Sequence, residues 1–151
     1  VADEVEITFN DRDLVAALRE FTDTVARKIV RASLRQIASV IQGAIAAAAP
    51  RRTGKLADNI AVTTSFSASR GIVKSRVIVR TEGKAGDARN AFYWRFVNFG
   101  HRTRPGKHGA QHEVAAQPFV TQAGAQAQNY AADQFFSDLE AGIDRQFTRQ
   151  A

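Results

Sequence analysis

The chain of 151 residues contains no cysteine and no methionine, only three prolines and three histidines, and a single tryptophan. Without cysteine there can be no disulfide and no thiolate metal site, and a reducing compartment is compatible with the fold. At this length a fold can bury roughly 70% of its unfolded surface, so no covalent staple is needed. The size fits one domain spanning residues 1–151. No run of about 18 apolar residues occurs, so no membrane-spanning helix is expected. The first residues, Val1-Ala2-Asp3-Glu4, are acidic and lack an apolar signal core. Absence of Met together with the small Val1 suggests a removed initiator and synthesis in the cytoplasm.

Acidic residues are scarce in one region. Residues 51–112 carry thirteen basic and only three acidic side chains, against six and seven in residues 1–50 and two and five in residues 113–151. The middle is therefore a basic block between mildly acidic ends. Such a block suits nucleic acid, an acidic protein surface (including the ends of another copy), or simply a solvated sheet face.

The few prolines and glycines mark the element boundaries. Val5 to Phe9 alternates and reads as a short strand, after which Asn10 or Asp11 can cap a helix. Leu14, Leu18, Phe21, Val25, Ile29, Leu34, Ile37, Ile41, Ile45 and Ala48 then step mostly by three or four, the spacing of one helix face. That helix would stop at Pro50 and reach roughly 55 Å, with a weak point at Thr22-Asp23-Thr24. Arg51 to Lys55 reads as a loop. Asn59 to Phe66 and Ile72 to Thr81 alternate around a turn at Ser67 to Gly71, giving an antiparallel hairpin. Residues 82–87 form a second loop.

Both the helical and the strand period fit Ala91 to Gly100. Seven of the nine residues before Gly100 are apolar or aromatic, which favours a buried core over bases stacked on Tyr93, Trp94 and Phe96. Residues 101–117 form a long, basic, exposed loop. Pro118 opens a last helix carrying Phe119, Ala123, Ala127, Tyr130, Phe135, Leu139, Ile143 and Phe147 on its apolar face. The expected class is α+β: a long N-terminal helix and a C-terminal helix packed on a small antiparallel sheet.

Catalytic patterns are scarce. His108 and His112 are four apart but enclose Gly109 in a Gly/Pro-rich loop, so His101, His108 and His112 read as solvated rather than metal-binding. Neither a Ser elbow nor a Walker-type phosphate loop is present, and the three acids of the middle region are too sparse for a paired-carboxylate site. No cofactor is expected, and no enzyme.

Three segments in order carry a resemblance. Pro50-Arg51-Arg52-Thr53-Gly54-Lys55-Leu56 follows the long helix. Tyr93-Trp94-Arg95-Phe96-Val97-Asn98-Phe99-Gly100-His101 comes next, and Ala116-Gln117-Pro118-Phe119-Val120 leads into the last helix. Together they resemble the P-x-x-T-G-x-L, Y-x-x-x-V-E-F-G-T and A-x-P-F-L segments of minor tail and head–tail joining (neck, tail-completion) proteins of long-tailed bacteriophages. Asn98 stands where that family has Glu and His101 where it has Thr, and the link from Gly100 to Pro118 is longer. The resemblance implies a structural virion protein joining the tail tube to the head connector as a ring of identical subunits, assembled in the host cytoplasm. A tail-terminator or head-closure protein is the near alternative, and a sequence-nonspecific nucleic-acid-binding protein the distant one. The matching residues Pro50, Thr53, Gly54, Leu56, Tyr93, Val97, Phe99, Gly100, Pro118 and Phe119 read as fold and turn positions. Gly54 and Gly100 are expected to reverse the chain. Arg102, Arg104, Lys107 and His108 form the candidate partner-contact loop. Expected partners are further copies, tail-tube and connector proteins, and DNA in the channel without base readout, with no membrane.

Overall fold

In the computed structural model the described residues are 23–67, 69–84, 87–105 and 109–150. The expected strand Val5–Phe9, its capping residues, and Leu14, Leu18 and Phe21 lie outside them.

Helix α1 (Asp23–Ala48) is the central element. Its buried face carries Ile29, Ser33, Ile37, Ala38, Ile41 and Ile45, the three-to-four spacing of the sequence. The Ser33 hydroxyl reaches back to the Ile29 carbonyl at 3.1 Å, so its burial leaves no donor unsatisfied. Pro50 follows the helix and, lacking an N–H, cannot continue its ladder.

The expected loop at 51–55 runs only to Gly54, because Lys55–Asp58 forms a short helix, α2. Its single turn lets Leu56 point inward, where it is 3% exposed. Buried Asn59 closes α2 with two hydrogen bonds from its amide nitrogen, to the Lys55 and Ala88 carbonyls, each 2.7 Å. It thereby ties the start of the sheet to Ala88, 29 positions on.

Strands β1 (Ile60–Ser67) and β2 (Ile72–Val79) pair antiparallel, from Ile60 opposite Val79 to Ser67 opposite Ile72. Ile60, Val62, Thr64 and Phe66 face α1 while Thr63 and Ser65 face solvent, the alternation expected of a half-buried hairpin. Two contacts fix its direction along α1. Gln42 donates to the Ile60 carbonyl at 2.7 Å, and the Arg27 guanidinium lies over the Phe66 ring at 4.2 Å. β1 thus runs back along the helix that precedes it.

Thr81 bridges Asn90, closing the 82–87 loop, and the short helix α3 (Trp94–Phe99) follows. The two-residue strands β3 (His101–Arg102) and β4 (Glu113–Val114) pair antiparallel, and α4 (Phe119–Gln150) packs along α1. The core joins Ile37, Ile41 and Ile45 of α1 to Leu56, Ile60, Val77, Trp94, and the α4 residues Phe119, Phe135, Leu139 and Ile143. The architecture is the expected α+β arrangement of two long helices with a small antiparallel hairpin.

Two expectations of burial and one of secondary structure differ from the structure. On α4, Tyr130 is 60% and Phe147 45% exposed, whereas Ala131 is fully buried. A step from 127 to 131 keeps the 3.6-residue phase, and a step to 130 swings the side chain off the core. The aromatic segment forms a helix, and most of it is not core. Trp94 is buried, but Phe92, Phe96 and Phe99 are each about half exposed. Finally, 101–117 is not a featureless loop. β3 and β4 close it, and Thr103 anchors the closure: its N–H and hydroxyl donate to the His112 carbonyl at 2.9 and 3.2 Å, and its oxygen accepts from the His112 N–H at 3.0 Å.

Candidate partner-contact surface

The segment from Ala91 to Val120 builds the most distinctive surface of the molecule. It rests on a buried polar joint. Asn98, 1% exposed, points from α3 into the first turn of α4. Its carbonyl oxygen accepts the Val120 N–H at 3.0 Å and its amide nitrogen donates to the Thr121 hydroxyl at 3.4 Å. Gln117 N–H donates to the Val97 carbonyl at 2.8 Å beside it. The first turn of any helix has N–H groups with no partner inside the helix. Here a residue 22 positions upstream supplies an acceptor, so Asn98 caps α4 from outside. A carboxylate, as in the Glu of the resembling segment, could accept there as well and would favour the positive helix end.

Gly100 ends α3 at φ 73° and ψ 169°, a backbone region essentially restricted to glycine. A Cβ there would meet the Val114 carbonyl oxygen at 2.7 Å and the Ala116 nitrogen at 2.9 Å. Gly100 thus both turns the chain and lets the returning strand pass against it. Gly54 has φ 74° as well, but the space beside it is open, with Asp58 Oδ2 the nearest atom at 3.7 Å.

These joints turn one side of α3 outward. The Phe96 ring lies 5.4 Å from the His101 ring, and His101 pairs with Val114, itself 40% exposed. Arg95, Arg102 and Arg104 stand exposed along the same stretch, Arg95 with its guanidinium 5.5 Å from the Trp94 ring. Of the expected contact loop, Arg102 lies in β3 and Arg104 follows the Thr103 anchor, while Lys107 and His108 fall outside the described residues. The motif residues are spread over the fold. Pro50, Thr53, Gly54 and Leu56 cluster at the α1–β1 corner; Tyr93, Val97, Phe99, Gly100, Pro118 and Phe119 gather at the α3–α4 joint. Pro118 precedes α4, its carbonyl accepting the Gln122 N–H at 2.9 Å, and Phe119 is 5% exposed. Sequence reasoning placed Asn98 only as a departure from a pattern and missed it as a cap. A lone Asn two residues before a glycine carries no local signal of a partner 22 positions away.

The long helix, the Thr-Gly corner and the α3 turn all fall within the span matched by one family model. The family model of HK97-gp10-like proteins, whose description reads "Bacteriophage HK97-gp10, putative tail-component", matches residues 12–100. The chain belongs to the HK97-gp10-like family. No curated protein and no solved structure matches it. The matched span ends at Gly100, so the β3–β4 excursion and α4 lie beyond it. As a member of this family the chain is a structural tail component of a phage virion. Among the described residues, no helix is long and apolar enough to cross a membrane.

Proposed function

We propose that this HK97-gp10-like protein is a neck, or tail-completion, subunit. It joins the tail tube to the head connector as a ring of identical copies, acting as a single domain over residues 1–151. Its work is structural, without a cofactor and without catalysis, and it is assembled into the virion in the host cytoplasm. The observation that carries this reading is the family match over residues 12–100, extended by the ordered Ala116-Gln117-Pro118-Phe119-Val120 step beyond it. In this reading the closed 101–117 excursion, with Arg102, Arg104, Lys107 and His108, meets a neighbouring virion protein.

The test is a joining assay. Heads and tails are isolated separately from infections that lack this protein, and the purified chain is added. The expected result is conversion to joined particles that retain several copies of the chain. Overlong tails in its absence would instead indicate a tail terminator, and heads that leak DNA a head-closure protein. Separate heads and tails that stay separate, with no chain retained on either, would overturn the reading. A second reading, nonspecific contact with DNA passing through the ring, is favoured by Arg51, Arg52, Arg70, Arg76, Arg80 and Arg89, all solvent-exposed.

A further inference from the structure

Phe92 is 48%, Phe96 50% and Phe99 53% exposed. Phe96 and Phe99 are three apart and share one side of α3, with Phe92 a turn before them. The Phe96–His101 contact and the His101–Val114 pair extend this side onto β4. Three half-exposed rings present on the order of 300 Å² of apolar surface, the size at which patches on soluble chains commonly serve recognition. Arg95 and Arg102 flank it, with Glu113 opposite Arg102 on β4, so the patch is apolar with a border of two arginines and one carboxylate.

The outer face of α4 has the opposite character. Asp133, Glu140 and Asp144 are all exposed, and steps of seven and four align them in one stripe. Tyr130, 60% exposed, lies at its N-terminal end. From Tyr130 to Asp144 there are four acidic residues and no basic one. The two surfaces cannot meet within one molecule. α3 is pinned to the start of α4 through the Asn98–Val120 bond, and the stripe begins 10 residues further along, roughly 15 Å away at 1.5 Å per residue.

We infer that the Phe92/Phe96/Phe99 patch of one copy docks on the Tyr130–Asp144 stripe of the next. The Phe92/Phe96/Phe99 rings with Arg95 and Arg102 at their border are met by the Tyr130 ring and the carboxylates of Asp133, Glu140 and Asp144. Because the two surfaces differ, the contact is head-to-tail and repeats from copy to copy, closing into a ring where the rotation allows. The inference rests on the ring proposed above and names the surfaces that would form it.

Two variants of the full chain test it. Phe96→Asp disables the patch, and Glu140→Lys with Asp144→Lys reverses the stripe. All altered side chains are solvent-exposed, and unchanged helical content by circular dichroism verifies folding; Phe99→Ser and Asp133→Lys serve as replacements if either variant misfolds. By sedimentation velocity the unaltered chain is expected to be multimeric and each variant monomeric. An equimolar mixture of the variants should give a one-to-one dimer, because each retains the surface the other lacks, and the dimer cannot extend. A monomeric unaltered chain, a variant that multimerises as the unaltered chain does, or a mixture that stays monomeric overturns the inference. The joining assay reads separately. Joining that succeeds with a patch variant leaves the neck function standing and removes this interface, whereas a multimer that behaves as expected but fails to join heads to tails removes the neck function alone.

Discussion

Gly54 and Gly100 share a positive φ but are constrained by different physics. At Gly54 the neighbourhood is open, so an added methyl costs only the left-handed backbone, about 1–2 kcal/mol. At Gly100 the same methyl also strikes the Val114 carbonyl and the Ala116 nitrogen, and backbone atoms yield poorly. Gly100→Ala is therefore expected to cost roughly 3 kcal/mol or more, adding backbone strain to overpacking. Thermal or denaturant melting of the two variants checks the order; equal losses would mean that the approach of β4 to α3 is not tight. Asn98 gives a second prediction at this scale. Asn98→Ala leaves the Val120 N–H buried without its acceptor, at an expected cost of about 1–3 kcal/mol. Asn98→Asp keeps an acceptor at a positive helix end and should lose less. If both variants melt alike, the side chain is not acting as a cap.

At the scale of elements, regular periodicity was the readable part. The isoleucines of α1 and the alternation of β1 and β2 announced themselves because each element turns one regularly spaced face toward the shared core. Composition misled where an element is too short to have a clear inside. α3 has six residues and buries only Trp94 and Asn98, so its phenylalanines, apolar enough for a core, face outward. The Asn98 cap and the Thr103 clamp were illegible because their partners lie 22 and 9 positions away and leave no local pattern. The clamp revises what a protease should do. A long basic loop predicts early cleavage after Arg102, Arg104 or Lys107. Arg102, however, is held in β3 beside the Thr103–His112 bonds, and Arg104 precedes Pro105, a bond that trypsin does not cut. Lys107 stands in the sequence about midway between Arg102 and Glu113, and the first tryptic cut is expected after it. Thr103→Val, which removes the hydroxyl bonds, should then open the bond after Arg102. First cleavage within α1 would contradict the placement of the excursion as the most accessible segment.

For the whole molecule, the open issue is whether the basic middle meets nucleic acid or protein. Thirteen basic residues between positions 51 and 112 give a field strong enough to attract a duplex at low salt. That attraction is mostly counterion release, so engaging about six phosphates would weaken binding roughly a thousandfold between 50 and 200 mM salt. The exposed arginines are spread over the α1–β1 corner, the hairpin and the 82–89 loop rather than along one helix, and such a spread cannot read base edges. A single subunit is therefore expected to bind duplex DNA feebly at physiological salt, without sequence preference, and with a linear fall of log affinity against log salt. In a ring the same arginines repeat with each copy, and the salt slope should steepen for the multimer relative to the monomeric Phe96→Asp variant. Fluorescence anisotropy with duplexes of unrelated sequence, titrated over salt for both forms, measures the two slopes. Equal slopes would place the basic surface outside the DNA path and leave it to protein contacts. Tight, sequence-selective binding by the monomer at physiological salt would overturn the structural role and favour a nucleic-acid-binding protein.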